Sequence, residues 1–385
     1  MQEAIVLFAV FAATIANAAV FATLGLFGRE VGLGEFEVGV IFASSGLLFC
    51  LTASSWGRLS DRFGRTRVIV LGLVATTLSL ALFAGFYMAR WPYAFLGLLA
   101  ARMVYGLFAG GIQPAAIAWM VDATPRDERR AGIASVGAAA SLGSVLGPAL
   151  TALLVGFGFA WPVVAGGVVA ALAALAITGV AAAPRPATMA QAASAPVDGL
   201  AGYALLSFVM VLGFGALQPT TAFYVQDRFG GETVAAIRTA AFAGASFATG
   251  AFLMQAVGVR VLALAARDLM LLGFVICLAG VAGALMAGGA VTLIAAFAVL
   301  GVGYGLAQAG LMTEAARLGG DSRQGLVAGH LQAAMAAGWI AGALGGTALY
   351  GLSMRAPLLI AGGALAFCAI RTALPRARTP SGPPP

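Results

Sequence analysis

Apolar positions in this chain follow neither the two-residue alternation of a half-buried strand nor a narrow helical stripe. They form long unbroken runs that end at charge, Pro or Gly clusters. A helix needs about 20 mainly apolar residues to cross the hydrocarbon core of a bilayer. Twelve runs qualify, at 4–27, 36–56, 68–88, 93–121, 131–155, 160–182, 200–225, 234–257, 266–287, 290–312, 325–350 and 356–374. Membrane strands would instead alternate over segments of about ten residues. The pattern predicts an all-α integral membrane protein of twelve transmembrane helices, with connections too short for an extramembrane domain.

Composition agrees. Of 385 residues, 61% are hydrophobic and 9% charged, against about a quarter charged in a soluble domain, which excludes a soluble globular protein. Every one of the 21 basic residues is Arg. Fifteen fall in connections 2/3, 4/5, 6/7, 8/9 and 10/11 or the C-terminal segment; Arg29, Arg90, Arg228, Arg238 and Arg355 fall on the opposite side, and Arg102 lies inside the fourth run. Basic residues near span ends stay cytoplasmic, so both termini are expected there, in a multi-pass protein of the inner (plasma) membrane. Charge spread over short loops also excludes nucleic acid as a partner. The first run contains Ala16-Asn17-Ala18, which has the form of a cleavage site, but only Glu3 precedes it, so an uncleaved first span is expected. Cys50, Cys277 and Cys368 lie in three separate runs without metal-ligand or disulfide spacing, and His330 is the sole His. No metal, cofactor or enzymatic nucleophile–base set is legible.

The chain also repeats. A shift of 195 places Gly106, Gly110 and Gln113 on Gly301, Gly305 and Gln308, and a shift of 193 places Gly132 on Gly325. The expected organisation is a six-helix bundle over 1–182, an Ala/Pro/Ser linker over 183–199, a second bundle over 200–374 and a tail over 375–385.

The second connection reads Gly57-Arg58-Leu59-Ser60-Asp61-Arg62-Phe63-Gly64-Arg65-Thr66-Arg67. It resembles the loop signature of the major facilitator superfamily, in the position where that family carries it. The resemblance implies that Asp61, with Arg62, Arg65 and the turn glycines Gly57 and Gly64, holds a cytoplasmic gate against span 11. The stretch from Asp122 to Gly132 is similar to the family's link between spans 4 and 5, and the resemblance places Asp122 with the cytoplasmic gate residues. Span 4 carries Leu98, Arg102, Tyr105, Gly106 and Gly110, similar to the second signature except that Tyr105 replaces Gln. Gly143, Gly147 and Pro148 resemble the antiporter signature of span 5, although Thr151 and Ala152 stand where two glycines belong; small residues at this spacing equally serve close helix packing.

By that resemblance, spans 1, 4, 7 and 10 line a central cavity in two pseudo-symmetric halves. Its candidate substrate or coupling residues are Asn17, Arg102, Tyr105, Gln113, Gln218, Thr221, Tyr224, Tyr304 and Gln308, each of which also suits an interhelical hydrogen bond. Arg102 is the tenth residue of its run, about 14 Å deep at 1.5 Å per residue. There it costs at least ~2.5 kcal/mol unless it faces water or a partner. No carboxylate occupies the middle of a run, with Glu314 expected at the cytoplasmic end, so a dication specialist is disfavoured. The expected function is proton-coupled export of a small neutral or anionic organic molecule by a monomer; uptake or facilitated diffusion of a metabolite is the alternative.

Overall fold

The computed structural model describes residues 1–89, 93–125, 128–181, 197 and 199–374. The expected linker, apart from 197 and 199, the tail and Arg90 lie outside the described residues. Twelve helices are long and apolar enough to cross a membrane, numbered here as spans 1 to 12: Gln2–Glu30, Glu35–Ala53, Arg65–Met88, Ala94–Ala123, Ala131–Phe157, Ala160–Thr178, Leu200–Phe229, Thr233–Gly258, Ala266–Met286, Ala290–Leu318, Leu326–Tyr350 and Ala356–Ala373. No strand occurs among the described residues. These are the twelve expected runs. The largest difference is in span 10, which ends at Leu318 rather than 312 and so takes in Glu314. That carboxylate is buried, not placed at a surface; it accepts from Tyr203 Oη at 3.2 Å and pairs with Arg317 at 2.7 Å. Large side chains on the outer helix faces, such as Leu78, Leu96 and Leu175, are exposed, as suits a protein whose surrounding medium is lipid.

Lipid supplies no hydrophobic drive between helices, so packing depends on close approach at small residues. Gly106 and Gly110 of span 4 meet Ser45 and Phe49 of span 2; a Cβ at Gly106 would lie 2.5 Å from the Ser45 carbonyl oxygen. Gly301 and Gly305 of span 10 meet Phe247 and Ala251 of span 8 in the same manner. The internal repeat is therefore a repeat of helix contacts as well as of letters.

Two local features depart from uniform spans. Span 4 is helical over Ala94–Ala109 and Ile112–Ala123, with a break between. Pro114 has no N–H, and its ring crowds the carbonyl four residues earlier, at Gly110. The Gly111 N–H bonds the Phe108 carbonyl instead, at 3.4 Å. Helical backbone also continues from Ala290 to Tyr350, yet Gln308 Nε2 lies 3.4 Å from Met335 Sδ. In a straight helix that separation of 27 residues would span about 40 Å. The chain folds back, and spans 10 and 11 run side by side in opposite directions.

Spans 1–6 and 7–12 form the two halves, which meet through pairs 1 and 7, 2 and 11, and 5 and 8. Span 1 begins and span 12 ends on one face, the terminal face; the opposite is the far face.

Candidate functional site

Span 4 brings Arg102 into the interior, where it is 1% exposed. Close packing at Gly106 sets Ser45 of span 2 one turn away from it. Arg102 Nη2 donates to Ser45 Oγ and to Asn17 Oδ1 of span 1, each at 3.1 Å. Its guanidinium carbon sits 4.5 Å from the Tyr105 ring centre and 5.7 Å from that of Phe21, positions where ring faces attract a cation. Nε and Nη1 are buried with no hydrogen-bond partner among the described residues. Arg102 lines a cavity of about 300 Å³, the lower end of the range for small-molecule sites.

That cavity is lined by Thr14, Asn17 and Phe21 of span 1, Phe42, Ser45 and Phe49 of span 2, and Arg102, Tyr105 and Gln113 of span 4. The second half contributes Ala336 and Trp339 of span 11. Four expected residues, Asn17, Arg102, Tyr105 and Gln113, thus converge, and the others do not join them. Thr221 bonds the Leu217 carbonyl at 2.7 Å, and Tyr224 bonds the Ala284 carbonyl of span 9 at 3.2 Å. Both border a separate narrow cleft with Phe297 and Leu358. Tyr304 packs edge-on against Phe214 at 4.7 Å and tilted against Phe247 at 5.4 Å. Gln308 reaches Met335, and its Oε1 is buried without a partner among the described residues. Gln218 is exposed and outside the cavity lining. The pseudo-equivalent Gln113 and Gln308 therefore do not face each other across the cavity. Sequence reasoning missed Ser45, Trp339 and the aromatic lining residues Phe21, Phe42 and Phe49.

The family profile described as Major Facilitator Superfamily matches residues 6–200, half of the chain. The chain belongs to this superfamily. It is similar to Multidrug resistance protein 2 of Bacillus subtilis (strain 168), with 28% identity over 167 residues, covering 43% of this chain and 40% of that protein. It is also similar to the Bacillibactin exporter of the same strain, with 30% identity over 145 residues, 37% of this chain and 35% of that one. The matches thus span about two-fifths of the length of these curated relatives. Among solved structures, a bacterial homolog of the human lysosomal transporter Spinster, in an inward-facing and unoccupied conformation, aligns with a TM-score of 0.77 at 15% identity, covering 96% of both chains. That likeness establishes the fold, two six-helix bundles of the superfamily type.

The superfamily's loop signature is knit to its own half in this structure. Asp61 pairs with Arg65, which also bonds Ser60 Oγ at 2.7 Å and Asp122 at 3.3 Å. Asp61 itself is 65% exposed. At Gly64, between spans 2 and 3, φ is +100°, a conformation that favours glycine. In span 5, Gly143 and Gly147 abut span 1; a Cβ at Gly147 would lie 2.5 Å from that of Ala18. Pro148 lies beside Gly244 of span 8.

The halves are latched at the far face. Arg29, at the end of span 1, forks onto Asp227, at the end of span 7, with bonds of 2.7 and 2.8 Å. It also reaches Gln226 at 3.1 Å and Glu35 at 2.6 Å, while its guanidinium lies 4.5 Å from the Phe223 ring centre. Tyr350 of span 11 donates to Asp227 at 2.7 Å. Arg238 of span 8 donates to the Ala152 carbonyl of span 5 at 3.2 Å, so it ties the halves together rather than extending to the surface. Among the described residues, no group of three or more His, Cys, Asp or Glu could hold a metal ion.

Proposed function

We propose that this superfamily transporter is a proton-coupled exporter of a small neutral or anionic organic molecule, working by alternating access as a monomer in the plasma membrane. The observation carrying this reading is Arg102, a buried guanidinium with two nitrogens lacking a hydrogen-bond partner among the described residues, in the lining of a cavity between the halves. A charge at that depth is a functional group by default. The excess of Arg at connections on the terminal face supports assigning that face to the cytoplasm. With the far face latched, the cavity then belongs to a state closed to the outside. Export is supported by the relatives, whose names describe multidrug resistance and bacillibactin export.

Everted vesicles acidified inside test this directly. A transported solute accumulates in them when the proton gradient is imposed, and Arg102→Ala abolishes accumulation at unchanged protein level. Unchanged accumulation in that variant removes Arg102 from the mechanism, and loss of solute on acidification reverses the assigned direction.

A further inference from the structure

We infer that the Arg102 cavity takes an organic monoanion, a carboxylate whose ring-bearing apolar body lies along the cavity's aromatic wall. This rests on the transport reading above and narrows it. The lining carries one formal charge, the guanidinium of Arg102, and no acidic side chain. Nη2 is engaged by Asn17 and Ser45, so Nε–H and the Nη1 hydrogens remain without acceptors among the described residues. The faces of Tyr105 and Phe21 temper the charge without accepting those bonds. A buried charge lacking its counter-charge is costly, and pairing recovers that cost. A carboxylate supplies both the opposite charge and charge-assisted acceptors. A neutral amide supplies acceptors only, and an ammonium adds repulsion.

The wall beside Arg102 specifies the rest of the ligand. Phe21 stacks on Phe42 at 4.7 Å and meets Trp339 edge-on at 5.8 Å, and Phe49 and Ile112 extend the apolar surface. A cavity near 300 Å³ equals the liquid volume of about ten waters, which suits a one-ring acid and is wasteful for a bare halide. Trp339 belongs to span 11 and Arg102 to span 4. The ring wall thus joins Trp339 of the second half to Phe21 and Phe42 of the first, so one molecule paired with Arg102 touches both halves and senses their relative position.

The test is calorimetric titration of the full chain in lipid nanodiscs with 3-phenylpropanoate, 3-phenylpropanamide, 3-phenylpropylammonium and acetate. The ringed carboxylate is expected to bind at least about tenfold more tightly than its amide, an ordinary increment for one good charge-assisted contact. The ammonium and acetate should bind more weakly still. Arg102→Gln brings the carboxylate to the affinity of the amide, and Arg102→Lys retains the preference. Should the Gln variant not elute as a folded monodisperse species, the wild-type series decides alone. Equal affinity for carboxylate and amide, no heat from the carboxylate at millimolar concentration, or a preference surviving in Arg102→Gln overturns the inference. Acetate binding as well as phenylpropanoate overturns its ring-bearing part. Proton-driven export of solutes in vesicles without any carboxylate preference removes this inference and leaves the transport reading standing. Carboxylate binding at Arg102 without movement across the membrane does the reverse.

Discussion

Asn17 and Ser45 each remove one hydrogen of Arg102 from competition, and together they fix where the rest of the guanidinium points. Ser45 also donates to its own helix at the Phe42 carbonyl, 2.8 Å away, so its hydroxyl oxygen is oriented before Arg102 arrives. Holding a long side chain in one geometry in advance reduces the ordering cost of binding. Asn17→Ala therefore is expected to leave the fold intact and the maximal rate nearly unchanged while raising the half-saturation constant about fivefold, the equivalent of roughly 1 kcal/mol for one hydrogen bond. Concentration-dependent uptake into everted vesicles checks this, and an unaltered constant would mean that Asn17 does not position the guanidinium.

At the scale of elements, contacts between helices depend on a few glycines rather than on glycine content. Gly106 has the Ser45 backbone directly against it, whereas nothing lies within 4 Å of a Cβ placed on Gly137 in span 5. Gly106→Leu must push spans 2 and 4 apart and withdraw Ser45 from Arg102. Overpacking of this kind costs about 1–3 kcal/mol. Thermal melting of the purified variants is expected to fall for Gly106→Leu and to stay within error for Gly137→Leu; equal melting would show that the close approach carries no stability. The same contrast explains what the sequence reveals. All twelve spans are legible because an apolar run bounded by charge is a property of consecutive residues. The break in span 4 carried a signal as well, Pro114 four residues after Gly110. The face that a residue presents is harder to read. Thr221 and Tyr224 lie on a span buried nearly all round, so no polar stripe indicates which side meets the cavity. Ser45 has the ordinary helical role of a Ser, bonding a carbonyl three residues back, and nothing in its spacing points to Arg102. The Arg29–Asp227 pair did leave a trace: the two residues end spans 1 and 7, the first span of each half, with opposite charges.

For the whole molecule, the far face is closed by two kinds of contact. One is electrostatic, the Arg29 network across spans 1, 2, 7 and 11. The other is steric: a Cβ on Gly39 of span 2 would land on Thr347 of span 11. Alternating access requires both to release together, so weakening either should populate the state open at the far face. Cys50 reports this without an engineered thiol, because it lines the cavity whereas Cys277 and Cys368 are buried away from it. The partly exposed Arg29–Asp227 pair is worth about 1 kcal/mol, as a forked pair within a network. An equilibrium shifts about fivefold for that difference. Asp227→Asn should accordingly raise the rate at which a membrane-impermeant maleimide, applied from the far face, labels Cys50 by up to about fivefold. Gly39→Val should raise it further, since the clash cannot be screened by salt. High salt should accelerate labelling in the wild type and not in Asp227→Asn, which separates loss of the ion pair from general loosening of the fold. Equal labelling of wild type and both variants would mean that far-face closure is set by the contact of Pro148 of span 5 with Gly244 of span 8 and by Arg238, and not by the latch.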